Sequence, residues 1–206
     1  MSSLGKNFRI TIFGASHGEA IGVVMEGLPV GFAIDMDALN AFLTRRAPGR
    51  GAFATARRES DVPLFLSGVK SGVTCGGAVT AVIRNGDAHP GDYDALRNTP
   101  RPGHADFAAR MKDGDAVDLS GGGRFSGRLT APLCVAGGIT MQLLEEENIR
   151  IVSHIASIAG IADDGIFPAS TLGKPFPTLS EARGEEMLAA IAKARADGDS
   201  VGGVVE

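Results

Sequence analysis

A short glycine-bounded turn near the start of the chain limits the fold more than any other feature. Phe8-Arg9-Ile10-Thr11-Ile12-Phe13 alternates and is β-branched, which predicts a strand. Ile21-Gly22-Val23-Val24-Met25 predicts a second strand, ended by Gly27 and Pro29. The connection, Gly14-Ala15-Ser16-His17-Gly18 and two further residues, is too short for a crossover helix. The pair must therefore be antiparallel, which excludes a clean parallel βαβ array.

Further strands are expected at Leu64 to Ser67, Ala78 to Ile83 and Ile151 to Ile158. Met36, Leu39, Phe42 and Leu43 share one face of a helix capped by Asp35 and ending at Arg45-Arg46. Leu129 to Glu147 predicts the longest helix, with Leu133, Ala136, Thr140, Leu143 and Leu144 on its buried side. Glu185 to Ala196 predicts another, and residues 163 to 179 an irregular connection. The fold class is α+β. No internal repeat or linker composition divides residues 1–206, which read as one domain. Ser200 to Glu206 opens an apolar strand at the last residue, so the chain is expected to be the leading part of a longer one.

Composition narrows the function. The formal net charge is −4, Trp is absent and Tyr93 is the one tyrosine, which argues against a nucleic-acid partner. Cys75 and Cys134 lack metal-ligand spacing and form no disulfide framework. No signal-peptide run or membrane-length apolar stretch is present, so a soluble cytoplasmic protein is expected.

Four segments could carry chemistry. Ser16-His17 lies between glycines and is expected to be exposed, with His17 able to give a proton to a departing oxyanion. Gly14-Ala15-Ser16-His17-Gly18 matches the G-x-S-x-G of serine hydrolases, but that elbow needs a helix after the serine and a strand follows here. Arg45, Arg46, Arg50, Arg57 and Arg58 put five guanidinium groups within 14 residues, with only Glu59 and Asp61 nearby to neutralise them. Such forks recognise phosphate and carboxylate. Arg101-Pro102-Gly103-His104-Ala105-Asp106 fixes His104 in a rigid loop, whereas His89 and His154 carry no such signal. Gly121-Gly122-Gly123-Arg124-Phe125-Ser126-Gly127-Arg128 runs into the long helix and predicts an anion cradle of backbone amides and arginines. It is not a Walker A loop. Together these features point to an enzyme acting on a phosphorylated acid.

The same residues resemble the chorismate synthase family from the first strand to the last residue. Gly14 to Gly18 with Glu26-Gly27-Leu28-Pro29 resembles the family's first signature. Arg45-Arg46-Ala47-Pro48-Gly49, Ser67-Gly68-Val69 and Arg101 to Asp106 follow in the family's order. Gly122 to Thr130 resembles the second signature, and Asp197 to Gly203 a later one.

The resemblance implies a β-α-β sandwich with helices between antiparallel sheets, and usually a homotetramer. It implies a lyase of the shikimate pathway that makes chorismate, for aromatic amino-acid synthesis, from 5-enolpyruvylshikimate 3-phosphate. The reaction is a 1,4-anti elimination needing reduced FMN without net redox change. His17 matches the residue that protonates the leaving phosphate, and His104 the one at the reduced flavin. Ser16, Arg46, Arg101, Ser126, Gly127 and Arg128 match substrate contacts. Arg124, Phe125 and Ser126 match the FMN-binding triplet, and Arg46 a position linked to NADPH.

The sequence departs from the family at Ala15, where an acid is usual, and at Phe125, Gly127 and Cys134. The family's second arginine after Pro-Gly falls at Ala52. The family's later region, with further flavin contacts and a catalytic aspartate, is not in these 206 residues. The resemblance therefore leaves a second reading, a fragment that binds ligand without turnover, and a remote third, a serine hydrolase using Ser16.

Overall fold

The computed structural model describes residues 2–47, 57, 59–89, 91–93, 99–166, 171 and 173–206. Arg50, Ala52 and Arg58, named above, lie outside the described residues. The chain divides into two compact units, Met1–Asn148 and Ile149–Glu206.

In the first unit the expected hairpin forms. Strand β2 (Arg9–Gly14) pairs antiparallel with β3 (Ala20–Glu26), from Arg9 opposite Glu26 to Gly14 opposite Ile21. With β1 (Ser3–Leu4), β4 (Leu64–Ser67) and β7 (Val79–Arg84) they build a five-stranded antiparallel sheet in the order β1-β2-β3-β7-β4. A small hairpin, β5 (Val69–Lys70) and β6 (Val73–Thr74), follows β4.

The pleat of the central strands explains the core. Ile21, Val23 and Met25 of β3 and Val79, Ala81 and Ile83 of β7 are all buried, at alternate positions on one face. Helices α1 (Met36–Arg46) and α3 (Thr130–Glu146) cover that face, with Leu39, Leu43, Ala131, Val135, Ala136 and Ile139 joining the same cluster. On the sheet's other face the Phe13 ring crosses Gly22, where a Cβ would stand 2.4 Å from Cζ. Burying Ile139 fully predicts a cost of about 2–5 kcal/mol for its truncation to alanine.

Helix α1 starts and stops as its sequence dictates. The Asp35 carboxylate accepts from the Ala38 amide at 2.9 Å, and Arg45 and Arg46 occupy the last turn, where cations suit the helix dipole. The buried face of α3 differs from the expected one. Ala131, Pro132, Val135, Ala136, Gly138 and Ile139 are buried, while Leu133 is exposed. Small residues line this stripe because α1 approaches closely: a Cβ on Gly138 would stand 2.7 Å from Leu39 Cδ1. A further helix, α2 (Asp106–Asp113), was not expected, since it buries Asp106 and Ala109 and exposes Phe107 and Met111.

The second unit holds a three-stranded antiparallel sheet, β10 (Gly203–Val205), β8 (Ile155–Ile158) and β9 (Ile161–Ala162), with helix α4 (Glu181–Ala196) packed on β8 and β9. The final apolar segment is thus a strand, as expected, paired with β8. The strand expected from Ile151 starts only at Ile155, and Ile151 stays exposed. Helix α4 begins four residues earlier than expected, at Glu181, because the Ser180 side chain caps it by accepting from the Arg183 amide. The fold class is α+β with antiparallel sheets. No helix among the described residues is long and apolar enough to cross a membrane.

Candidate active site

The β2–β3 turn, the segment after β7, Arg57 and the Gly121–Arg128 segment converge on one cavity of about 600 Å³. Its lining includes Ser16, His17, Arg46, Arg57, Ser126 and Arg128. Gly121 and Gly127 complete the backbone wall, and Asp87, His89, Asp92 and Tyr93 line the remainder.

The turn carrying Ser16 and His17 is pinned from the end of β7. Asn85 Nδ2 donates to the carbonyls of Ala15 at 3.0 Å and Gly18 at 2.8 Å. Ser16 is not exposed as expected; it is 1% exposed, because its amide donates to Gly123 O and its hydroxyl to Ser120 O at 3.3 Å. A strand follows this turn, so the strand-turn-helix that a serine-hydrolase elbow requires is not formed.

His17 is partly buried. Its Nδ1 accepts from the His89 amide at 3.0 Å, and its ring meets Tyr93 edge-on with centroids 4.8 Å apart. Burial lowers its pKa below 6.5, helped by the charge of Arg57 and by His89. Because Nδ1 accepts from a backbone N–H, the neutral ring carries its proton on Nε2. Gly121 lies against that edge: φ is +69° there, and a Cβ would stand 2.6 Å from Nε2. Only glycine allows this approach.

The arginines are held by two buried carboxylates. Asp61, with φ +52° and 1% exposed, accepts from Arg46 Nη1 at 2.6 Å and from Arg128 Nη1. Glu59 accepts from Arg57 Nε at 2.8 Å. Of the arginine-rich stretch, Arg46 and Arg57 are thus paired, with Asp61 and Glu59 fixing their geometry. Arg128 is itself buried, with Nε donating to Asn85 Oδ1 at 3.2 Å. Among the described residues its Nη2 has no hydrogen-bond acceptor, the nearest carboxylate oxygen of Glu59 being 3.6 Å away. A buried guanidinium donor left unmade at a cavity wall is costly, and an entering anion would satisfy it.

Several of the amides expected to form a cradle from Gly121 to Arg128 are taken up locally. The segment folds into two 3₁₀ turns, Gly123–Phe125 and Gly127–Leu129, before α3. The amides of Gly122 and Gly123 donate to Ser120 O, those of Phe125 and Ser126 to Gly122 O and Gly123 O, and that of Arg128 to the Ser126 hydroxyl.

Four expected site residues lie outside this cavity. Arg101 lines a neighbouring one of about 270 Å³. There it bonds both oxygens of Asp106 and the carbonyls of Leu119 and Gly121. The Asp106 carboxyl is pulled down to about 2, chiefly by Arg101. His104 is exposed on the loop before α2. Arg124 and Phe125 are exposed, with the guanidinium 4.8 Å over the ring and paired to Asp113. Sequence reasoning passed over His89 and Tyr93, whose roles depend on contacts far along the chain. Cys134 is a free thiol whose pKa burial raises.

The fold is α+β, and the turn between two strands of its antiparallel sheet carries a histidine beside an arginine-lined cavity. The chorismate synthase family model matches residues 8–206, and the chain belongs to that family. A chorismate synthase of Thermococcus gammatolerans is 44% identical over 203 residues, covering 98% of this chain and 57% of that protein. One from Lancefieldella parvula is 38% identical, covering 100% and 59%. A solved structure titled as the crystal structure of chorismate synthase matches with TM-score 0.69 at 26% identity, over 97% of this chain and 56% of that one. The chain therefore spans a little over half the length of the relatives it matches.

Proposed function

We propose that this chain takes part in chorismate synthesis, the lyase reaction that removes phosphate and a ring hydrogen from 5-enolpyruvylshikimate 3-phosphate by 1,4-anti elimination. The observation that carries the reading is the unsatisfied Arg128 Nη2 in a cavity wall shared with His17 and Arg46. The substrate carries a phosphate and two carboxylates. Arg46, Arg57 and Arg128, oriented by Glu59 and Asp61, suit those anions, and Ser126 and Gly127 offer a hydroxyl and an open backbone. The buried Ser16 contributes by fixing the turn beneath them.

His17 presents Nε2–H to the cavity. Arrival of a phosphate dianion opposes the burial and the Arg57 charge that depress its pKa, so the ring gains a proton as substrate binds. It can then protonate the departing phosphate oxygen.

The reaction requires reduced FMN, which supplies transient electron donation without net redox change. The exposed Phe125 ring, the Arg124 guanidinium over it and Ser126 at the cavity form a donor set that fits a phosphate-bearing flavin. His104 is assigned to the reduced flavin, Arg101 to the substrate side and Arg46 to NADPH, if that reductant is used; motif resemblance alone supports these three. The proposal includes a homotetramer in the cytoplasm.

The test is an anaerobic assay with chemically reduced FMN and the enolpyruvyl substrate, run beside a relative of full length. Chorismate formation that falls at least about a hundredfold in His17→Ala supports the reading. Substrate binding without turnover assigns this chain the binding part alone. Neither binding nor turnover, with the relative active, contradicts it.

A further inference from the structure

We propose that Glu59 is a positioning residue that sets the tautomer of His17. The inference rests on the role given to His17 above. Glu59 is buried, its side chain 2% exposed, and it lies behind the cavity lining rather than in it.

What it holds is the segment after β7. Its Oε2 accepts from the Gly86 amide at 2.9 Å and its Oε1 from the Asp87 amide at 3.3 Å. Two residues further on, the His89 amide donates to His17 Nδ1. The carboxylate thus anchors the start of the turn that ends on the imidazole. The same Oε1 accepts from Arg57 Nε, and Arg57 Nη2 donates to Ser16 O at 2.9 Å, one residue before His17. One buried carboxylate therefore fixes both the backbone carrying His17 and the amide that reads its ring.

The chemistry depends on this. A backbone N–H cannot turn into an acceptor, so Nδ1 stays unprotonated while His89 holds its place. The single proton of the neutral ring then sits on Nε2, the edge facing Gly121 and the cavity. If the turn slackens, the Nδ1–H tautomer becomes accessible and the proton faces away from the site.

Glu59→Gln tests this with little change of volume. Its amide nitrogen can donate but not accept, so it cannot satisfy both the Gly86 and Asp87 amides and Arg57. The readout is the ¹⁵N spectrum of the His17 ring in the whole 206-residue chain without substrate, above its pKa. The wild type should show Nε2–H as the dominant tautomer, and E59Q should lose that dominance. Asp163→Asn serves as the control, because Asp163 likewise accepts from backbone amides, those of Gly165, Leu179 and Ser180, none of which belongs to the site, and it should keep the wild-type signature. An unchanged E59Q spectrum, or an equal change in D163N, would overturn the proposal. Should E59Q fail to fold, the wild type still decides: a dominant Nδ1–H tautomer, or a His89 amide that exchanges as fast as an open one, would sink it. The readout needs no turnover, so it stands or fails separately from the chorismate synthase reading.

Discussion

Arg124 and Arg128 lie one helical turn apart in sequence and in opposite environments. Arg128 is buried, paired to Asp61, bonded to Asn85 and left, among the described residues, with one unmet donor in the cavity wall. Arg124 lies on the surface over Phe125 with Asp113 as partner. Glycine-rich sequence flanks both, and only long-range contacts tell them apart. A buried guanidinium is committed by its carboxylate to one geometry, whereas an exposed one can exchange partners with little penalty.

The largest effect should come from breaking the buried network. Arg128→Met leaves Asp61 with Arg46 alone in a desolvated site, and should cost about 3–5 kcal/mol in denaturant unfolding. A cost below about 1 kcal/mol would mean that Asp61 is not the buried anchor described. Next comes Asp106. Its folded pKa of about 2, against an unfolded value near 3.8, means stabilisation fully present above pH 3.8 and lost as pH falls through about 2. Asp106→Asn should lose roughly 2 kcal/mol at neutral pH, and the gap to wild type should close on acidification. The smallest effect is expected at Arg124. Arg124→Ala should stay within about 0.5 kcal/mol of wild type in stability. Its reduced affinity for FMN, read by quenching of flavin fluorescence, should be its main consequence. If Arg124→Ala destabilises as much as Arg128→Met, the contrast between the two positions disappears.

Local signals were legible in the sequence. The hairpin, the Asp35 cap and the end of α1 at Arg46 depend on neighbours within a few residues, and they form as expected. The buried face of α3 was misread because leucines suggested a stripe, while close packing against α1 selected Ala, Val and Gly. Helix α2 carried no apolar periodicity, since it buries an aspartate for Arg101 and exposes Phe107. At the site, Ser16, His17, Arg46, Ser126, Gly127 and Arg128 were named from the sequence, and the fold gathers them around one cavity. The central role of Glu59 and Asp61 was not legible. Asp61 meets Arg128 across 67 residues, and Glu59 meets Gly86 across 27. Sequence proximity made both acids look like simple neutralisers of the arginines beside them.

The central claim is that the cavity takes a phosphate beside His17. The most direct measurement is the His17 ring titration by NMR, with and without 5-enolpyruvylshikimate 3-phosphate. The account predicts a pKa below 6.5 in the free protein and a clear rise on binding. A bound substrate that leaves the His17 titration unmoved would contradict it.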